Sequence, residues 1–510
     1  KNGPMPSMVR LQRSPESSYH HLETNGSLNN QSGKREEFGP GVAYAFTLNM
    51  IVGAGVLGVP YAFYRGGIVT AAVTLVVLSL LAFTTMIFVI ETMARAESWT
   101  AAQNSEPIHE LFIIHNRKFE MNELCAIFLP IRVGPNSSLR CLANEKGEIH
   151  LVRRVMECAL VLYSLGSMWL YSAVFGSSMS VIVPLPFMHW YEYNNNTVNL
   201  VNCSSPATTV PAWEAYCDHS YVFFLGLFAC MMCTLCIMDL VEQRQLQVAL
   251  TGLGLVCITT MILTIAWTMN PDPADAPHRS PFEHADALRF DSPGFGKIIT
   301  TCLFAIIGHQ GVPTITTLMI NKQKAARVFG SALVTSVVLY CTLGIVCSLY
   351  FGSHTQPVIT LNWVGFTEDS IAKWWATVIN YFVIVFPVIS TTAAFPICCF
   401  CLVQNLLKTL PSRLLLRNPR LFGLGLRLLC CALPISCAIG VRDVSQILAV
   451  NGLLGFFISF FIPCLLYWSS RRMCIAKWGP EAASTPYSWF FSSIIYCQVL
   501  LLVTAALFVF

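Results

Sequence analysis

The chain has 510 residues, of which 55% are hydrophobic and only 11% are charged, with a formal net charge of +4 at pH 7. This composition is typical of an integral membrane protein, and the segments between apolar runs are too short for an independent enzyme domain. No paired carboxylates, metal-ligand triad or nucleophile–base set occur at one depth. The sequence therefore predicts no enzyme, no nucleic-acid partner and no cofactor beyond a coupling sodium ion or proton.

Residues 1–38 are polar and rich in Ser, Asn and Gly, which predicts a disordered tail. From residue 39 to residue 510 the chain contains apolar runs of spanning length, which predict an all-α transporter domain with eleven transmembrane helices. The approximate limits of these runs are 40–64, 68–93, 153–183, 219–238, 245–268, 294–320, 326–351, 373–403, 422–440, 444–468 and 488–509.

The distribution of Lys and Arg predicts the orientation of these helices. If the tail is cytoplasmic, 24 of the 31 Lys and Arg residues fall on its side of the membrane, many of them in the tail and in the 94–152 loop. The positive-inside rule then places the N-terminus and that loop in the cytoplasm, and Phe510 on the opposite side. The membrane itself is predicted only as the plasma membrane or a lysosomal or vacuolar membrane.

The first span contains glycine or alanine at Gly53, Ala54, Gly55 and Gly58, followed by Pro60. Glycine and proline weaken a helix, and non-helical backbone at membrane depth survives only where it is buried in protein or lines a wet cavity. A discontinuous helix would free N–H and C=O groups for a carboxylate and a small cation. The alternative is that these small residues only allow a neighbouring helix to pack closely.

The 94–152 loop contains apolar residues at helical spacing over 119–129. This pattern predicts an amphipathic helix that lies at the membrane interface or against the inner face of the transporter. An ordinary packed connector is the alternative.

The 184–218 loop lacks Lys and Arg and carries glycosylation sequons at Asn195 and Asn202, which agrees with a lumenal or extracellular position. Cys203 and Cys217 lie in the same loop, so they can form a disulfide in an oxidising compartment or remain two free thiols. Three further sequons fall on the cytoplasmic side and should stay unmodified: Asn25, Asn30 and Asn136.

The sixth span contains a second interruption at Gly308, Gly311 and Pro313, with His309 between them. An ionisable side chain inside a bilayer indicates a pathway or gating role, although buried histidines in soluble proteins are usually satisfied core residues. Breaks in the first and sixth spans are typical of a 5+5 inverted repeat, here followed by one extra helix.

The eighth span places hydroxyls at Ser390, Thr391 and Thr392 between Pro387 and Pro396. Hydroxyl oxygens can bind a small hard cation. They can equally satisfy the backbone groups that the prolines leave unpaired.

The first-span motif at 49–60 (NMIVGAGVLGVP) resembles that of the amino acid/auxin permease family of the amino acid–polyamine–cation superfamily. Gly308 with His309, and the Phe-Pro of the eighth span, are similar to the same family. The nearest likeness is to its transmembrane protein 104-like branch, through 42–46, 88–94 and 386–396.

This resemblance implies secondary active transport of amino acids or similar small zwitterions, coupled to sodium or protons. It implies that Asn49 holds the sodium ion together with Thr391 or Thr392. In a proton-coupled member these residues would be structural, and His309 would carry the proton.

The substrate carboxylate would meet main-chain N–H groups of the first break, and side chains of the sixth and third spans would shape the pocket. The substrate-binding residues predicted in this way are Val52, Gly53, Ala54, Gly55, Val56, Phe304, Ala305, Tyr163 and Tyr171. The two tyrosines can instead be packing or interface anchors. The rival function is a membrane amino-acid sensor or scaffold that signals through 1–38 or 94–152. Membrane lipid is an expected partner in either case, and no protein partner is predicted.

Overall fold

The fold is that of a computed structural model. The residues that the structure describes are 37–53, 55–104, 111–115, 117–132, 148–183, 191–194, 197–200, 203, 211–268, 292–363, 374–410, 419–442 and 444–509.

The described part of the chain is almost entirely helical. Its first seven helices are α1 Pro40–Val52, α2 Gly55–Gly66, α3 Ile68–Gln103, α4 Met121–Phe128, α5 Leu151–Ile182, α6 Pro211–Ile237 and α7 Arg244–Thr268. The remaining helices are α8 Ser292–Ile306, α9 Val312–Leu318, α10 Ala325–Phe351, α11 Trp374–Ile384, α12 Phe386–Thr409, α13 Pro419–Gly440, α14 Val444–Phe456, α15 Ile462–Trp478 and α16 Ile494–Val509.

Both predicted interruptions are confirmed. The first span consists of α1 and α2, which meet at an angle of 46°. The sixth consists of α8 and α9, joined through a 3₁₀ turn at His309–Gly311. The eighth and tenth spans are also irregular: Val385 separates α11 from α12, whose first turn contains Pro387, and a π turn at Phe457–Phe461 links α14 to α15. Proline suits such a position because its missing N–H lies in the first turn, where no helical partner exists.

Within the described residues, nine helical segments are long and apolar enough to cross a membrane, and the bent α1–α2 pair makes a tenth. The eleventh predicted span is α16, which has 16 described residues. At 1.5 Å per residue these give about 24 Å of helix, less than a typical hydrocarbon core. The multi-span α-helical class is therefore confirmed, and the eleventh crossing stays a prediction.

The two halves of the first and sixth spans form the centre of the bundle. α2 packs along α8, and α10 packs against both α1 and α2. α12 packs against α1, α5 and α7, and α5 packs against α13 and α14. We call the face at which α1 begins the N-terminal side and the other face the opposite side.

The segment after the second span is more helical than expected, because α3 continues ten residues beyond the predicted limit of 93, to Gln103. α4 occupies most of the predicted amphipathic stretch. Its apolar residues Met121, Leu124, Cys125 and Phe128 are buried, and it packs against α3, α5, α12 and α15. The helix is thus a packed element on the N-terminal side of the bundle.

In the described part of the chain, four short strands form two antiparallel pairs. They are β1 Ile131–Arg132, β2 Glu148–Ile149, β3 Tyr191–Asn194 and β4 Thr197–Leu200. Cys203 and Cys217 have sulfur atoms within bonding distance and Cα atoms 5.7 Å apart, which is normal disulfide geometry. Asn195 and Asn202 lie outside the described residues, as do Asn25, Asn30 and Asn136.

Candidate substrate and ion site

The first break has a backbone conformation that favours glycine. Gly53 has a φ of +28° directly after the end of α1, and a Cβ atom there would lie 3.0 Å from the hydroxyl of Tyr171. Gly55 has a different constraint, because a Cβ atom there would lie only 2.6 Å from Cα of Ala305. The predicted residue Ala54 lies outside the described residues. The first break therefore faces Tyr171 of α5 and touches the backbone of α8.

The sixth break lies beside the first span. α8 ends at Ile306, and the chain turns through His309–Gly311 into α9. A Cβ atom on Gly311 would lie 2.8 Å from Cε of Met50, and one on Gly308 would lie 3.0 Å from the same atom. The glycines of the sixth span thus make room for a side chain of α1.

One hydroxyl joins the two breaks. Tyr340, in the middle of α10, is fully buried, and its oxygen lies 3.0 Å from the carbonyl of Ile51 and 3.1 Å from the carbonyl of Ala305. A phenol has a single proton to donate, so the two carbonyls share it. The two broken spans are consequently held together at carbonyls next to each break.

The predicted aromatic residues lie next to these breaks. Tyr163 is 3% exposed, and its ring centroid lies 6.5 Å from that of Phe304. Tyr171 is 6% exposed and faces Gly53. Val52 and Val56 flank the first break and are buried as well. The structure therefore brings the described members of the predicted substrate set into one region.

Asn49, the predicted ion-coupling residue of the first span, belongs to a polar network that links three spans. Its Nδ2 donates to the carbonyl of Gln247 at 3.0 Å and to Gln247 Oε1 at 2.6 Å. Thr251 Oγ1 lies 3.0 Å from Asn49 Oδ1, and Gln247 Nε2 donates to the carbonyl of Ala393 at 3.1 Å. This network joins α1, α7 and α12 in the interior of the bundle.

The hydroxyls of the eighth span differ in their surroundings. Thr391 Oγ1 donates to the carbonyl of Pro387 at 2.7 Å, and Ser390 Oγ donates to the same carbonyl at 3.2 Å. Thr392 Oγ1 is buried and has no hydrogen-bond partner within the described part of the chain. Thr391 thus has the bonding expected of a helix residue near a proline, and its predicted role in ion binding remains a prediction.

A small cavity of about 20 Å³ lies between α1, α7 and α12, and its polar lining includes Asn49, Thr251 and Ser390. A volume of this size can hold one water molecule or a small ion. Gly53 also lines the cavity, so the cavity reaches the first break. Ser390 faces this space, whereas Thr391 and Thr392 are not part of its lining.

His309 lies in the break of the sixth span and faces the second span. It is fully buried, with Nε2 2.8 Å from Thr85 Oγ1 and 3.2 Å from the carbonyl of Ala82. Because a carbonyl can only accept, the contact with Ala82 fits a neutral ring that carries its proton on Nε2. Nδ1 has no partner among the described residues. His309 therefore contacts the second span and does not contact the Asn49 network.

The two sides of the central region differ. On the opposite side, a cavity of about 90 Å³ lies between α2, α5, α8 and α14, and it is lined in part by Tyr61, Lys297, Thr300 and Leu448. On the N-terminal side, Phe38 pairs with the end of α9 through two backbone hydrogen bonds, 3.0 Å to the carbonyl of Leu318 and 3.1 Å from the N–H of Ile320. On the N-terminal side, the segment before α1 is therefore hydrogen-bonded to the end of the sixth span.

Three residues of the site were not found by sequence reasoning: Gln247, Thr251 and Tyr340. Gln247 and Thr251 are spaced i, i+4 in the fifth span, which places both on one helix face. Tyr340 is a polar aromatic residue near the middle of the seventh span. Tyr340 could have been noticed as a polar side chain far from both ends of its run, whereas Gln247 lies two residues from the start of the fifth run and gave no such signal.

Comparisons with known proteins agree with this architecture. The sequence profile of the family described as transmembrane amino acid transporter protein matches residues 39–121 and 148–509. A transmembrane protein 104 homolog of Caenorhabditis elegans is 24% identical over 479 residues, which cover 85% of this chain and 87% of the relative. Human transmembrane protein 104 is 22% identical over 456 residues, which cover 85% of this chain and 87% of the relative. The expected family is thus confirmed, as is the expected likeness to transmembrane protein 104.

Proposed function

Because the chain belongs to the transmembrane amino acid transporter family, we propose that it is a secondary active transporter of amino acids or similar small zwitterions, driven by a sodium or proton gradient. The observation that carries this proposal is the meeting of two broken spans in the centre of the bundle, where Tyr340 bonds to a carbonyl from each. Discontinuous helices of this kind present backbone groups to a substrate at the midplane of a membrane.

In the proposed complex the substrate carboxylate binds at the first break. The start of α2 follows Gly53, and the N–H groups in the first turn of a helix have no partners within the helix. These groups and the helix dipole favour an anion, so the N–H groups of Gly55 and Val56 would receive the carboxylate. The N–H of Gly53 is engaged at the end of α1, where it donates to the carbonyl of Asn49 at 3.1 Å. Phe304, Tyr163 and Tyr171 would then enclose the substrate side chain, since they lie beside both breaks.

The proposed coupling ion lies between the first and eighth spans. If the ion is sodium, the cavity beside Asn49 is the best-supported position, because oxygen ligands suit a small hard cation. Asn49 Oδ1 and Ser390 Oγ would be its side-chain ligands, in place of Thr391, because Ser390 lines the cavity and Thr391 does not. Thr392 remains a candidate through its unpaired hydroxyl. If the ion is a proton, His309 is the candidate within the spans.

The proposed topology places the N-terminal side in the cytoplasm, in the plasma membrane or in a lysosomal or vacuolar membrane. This assignment follows from the bias of Lys and Arg. It puts the 184–218 loop in an oxidising compartment, where Cys203 and Cys217 would form a disulfide and Asn195 and Asn202 would carry glycans. Glycosidase treatment of single Asn→Gln variants tests this, and a glycan on Asn136 would reverse the orientation.

The proposed function is tested by uptake into proteoliposomes that contain the purified full chain. A panel of radiolabelled amino acids is applied while the sodium and proton gradients are imposed one at a time. We expect accumulation of at least one amino acid under one of the gradients. Binding of an amino acid without accumulation under either gradient would contradict transport and support the sensor function.

A further inference from the structure

The segment between the second and third spans carries a buried carboxyl group that the proposed transport mechanism does not yet use. Glu120 lies directly before α4, outside the spans, and only 4% of its surface is exposed. Acidic residues are almost never fully buried unless a partner compensates the charge. The groups around this carboxyl therefore decide whether it is charged or protonated.

Glu120 joins α4 to the sixth and eighth spans. Thr314 Oγ1 of α9 lies 3.1 and 3.2 Å from the two carboxylate oxygens, and Asn405 Nδ2 of α12 lies 3.4 Å from Oε2. Nearby, Asn122 Nδ2 donates to the carbonyl of Asn405 at 2.9 Å and to Thr409 Oγ1 at 2.8 Å. The start of α4 thus bridges α9 and α12 on the N-terminal side, where the two spans would separate to open a path.

The direct partners of Glu120 are neutral. Thr314 and Asn405 are its hydrogen-bond partners, and within the described residues it forms no ion pair. The titratable groups that act on it from further away are Lys118 and Glu123 on its own segment, and Lys408 and Cys401 on α12.

Burial raises the pKa of Glu120 to about 8, because the charged form loses its hydration. The hydrogen bond from Thr314 acts in the opposite direction, and the negative charge of Glu123 adds to the rise. A neutral Glu120 can donate its proton to Thr314 Oγ1. The site therefore accommodates a protonated carboxyl group near neutral pH.

We propose that Glu120 is a proton-binding site that controls opening of the N-terminal side: it holds a proton while α4 is packed and releases it to water when α4 withdraws. This inference rests on the proposed transport function, and it assigns a proton-binding residue to it. In the packed state the proton is on a carboxylate oxygen. In the open state the carboxylate is hydrated and the proton is in the solution on the N-terminal side.

The sign of the pH effect follows from the two protonation states. A hydrated glutamate has an ordinary pKa of about 4.3, so between roughly pH 4.3 and 8 the packed state binds more protons than the open state. Acid on the N-terminal side therefore favours the packed state, and rising pH favours opening. For one proton the opening equilibrium increases by at most about tenfold per pH unit in this window.

Cys125 provides a reporter of opening within the native sequence. It lies on α4 and is fully buried, so a water-soluble maleimide reaches it only when α4 leaves its site. The full chain is purified, placed in lipid nanodiscs and alkylated at several pH values, and modification of Cys125 is measured by peptide mass spectrometry. The rate is divided by that of Glu120→Gln at the same pH, which cancels the intrinsic pH dependence of the thiol.

We expect this ratio to rise by up to about tenfold per pH unit between pH 5 and 8 and then to level off. Glu123→Gln is the matched control, since Glu123 lies in the first turn of α4, three residues after Glu120, but its side chain is 33% exposed. It should show the same rise per pH unit as the parent and level off at a lower pH, because its charge no longer raises the pKa of Glu120. A ratio that stays constant with pH would overturn the proposal.

A second variant keeps the test decisive if Glu120→Gln does not fold. Thr314→Val removes the hydroxyl that stabilises the carboxylate, so the pKa of Glu120 in the packed state should rise further. The rise of Cys125 alkylation should then continue to a higher pH than in the parent before it levels off. Levelling off at the same pH in both proteins would contradict the proposal.

The two proposals can fail separately. If no amino acid is taken up but alkylation of Cys125 follows pH as described, transport is wrong and the proton-binding role stands. If uptake occurs but alkylation does not depend on Glu120, the proton-binding role is wrong and transport stands.

Discussion

The two broken spans are interrupted by the same residue types, but the glycines serve different purposes in each. In the first span, Gly53 has a φ of +28°, a conformation that side chains disfavour. In the sixth span, Gly308 and Gly311 have φ values of −139° and −91°, which any residue can adopt. There the glycines are needed because Met50 lies against them. Glycine is thus needed in the first span for its backbone conformation, and in the sixth span to leave room for the side chain of Met50.

Gly55 adds a third case, since it approaches the backbone of α8 instead of a side chain. A flexible side chain can move aside when a methyl group is added, but a packed backbone cannot do so without shifting a helix. The close-packing hypothesis therefore applies to Gly55, and binding of a ligand at the break beside Gly53 stays a prediction. Gly55 supports close packing, and Gly53 shapes the break. Substitutions at these positions can separate the effects.

Gly55→Ala should have the largest effect on stability. Its Cβ atom would lie 2.6 Å from Cα of Ala305, and overpacking of this kind costs about 1–3 kcal/mol. We expect the melting temperature of the purified protein to fall strongly. Gly226→Ala in α6 is the matched control, because a Cβ atom there has nothing within 4 Å, and it should be neutral or slightly stabilising. Equal melting temperatures for the two variants would contradict close packing at Gly55.

Gly53→Ala should have an intermediate effect, about 1–2 kcal/mol for placing a side chain in a left-handed conformation. The new methyl group would also lie 3.0 Å from the Tyr171 hydroxyl. Gly479→Ala has the same conformational problem at a φ of +88° but nothing within 4 Å, so it isolates the backbone contribution. Chemical denaturation of both variants in detergent measures the difference. A Gly53→Ala protein as stable as the parent would show that the break does not need glycine.

Gly311→Ala should have the smallest effect, below about 1 kcal/mol, because Met50 is flexible and can change rotamer. The close contacts would be with Sδ of Met50 and, at 2.8 Å, with its Cε. Shortening that side chain in the double variant Met50→Ala, Gly311→Ala should remove the clash, so the two substitutions should be non-additive. A double-mutant cycle on melting temperature provides the test. Additive effects would mean that Gly311 is needed for its backbone and not for space.

The sequence predicted the helical class and both interruptions because these depend on strong local signals. Apolar runs of spanning length and clusters of glycine and proline determine them. The packing of α4 was less predictable, since an amphipathic pattern does not reveal which surface covers its apolar face. The extension of α3 to Gln103 was missed because hydropathy ends where charged residues begin, whereas good helix formers continue.

The site was predicted only in part. Residues within the broken motifs, such as Gly53 and Phe304, could be named because the breaks themselves mark the region. Gln247 and Tyr340 could not, since their partners are backbone carbonyls and amides of distant spans. Glu120 was missed for a related reason. Its burial depends on α9 and α12, which lie far away in the chain.

The most direct test of the central claim is whether amino acids stabilise the purified protein through the first break. A ligand that binds only the folded state raises its stability, by about 2.7 kcal/mol at a concentration one hundred times its dissociation constant. We predict that at least one amino acid raises the melting temperature of the parent and of Gly479→Ala, and that this rise is lost in folded Gly53→Ala. A Gly53→Ala protein stabilised as strongly as the parent would contradict the proposed binding site.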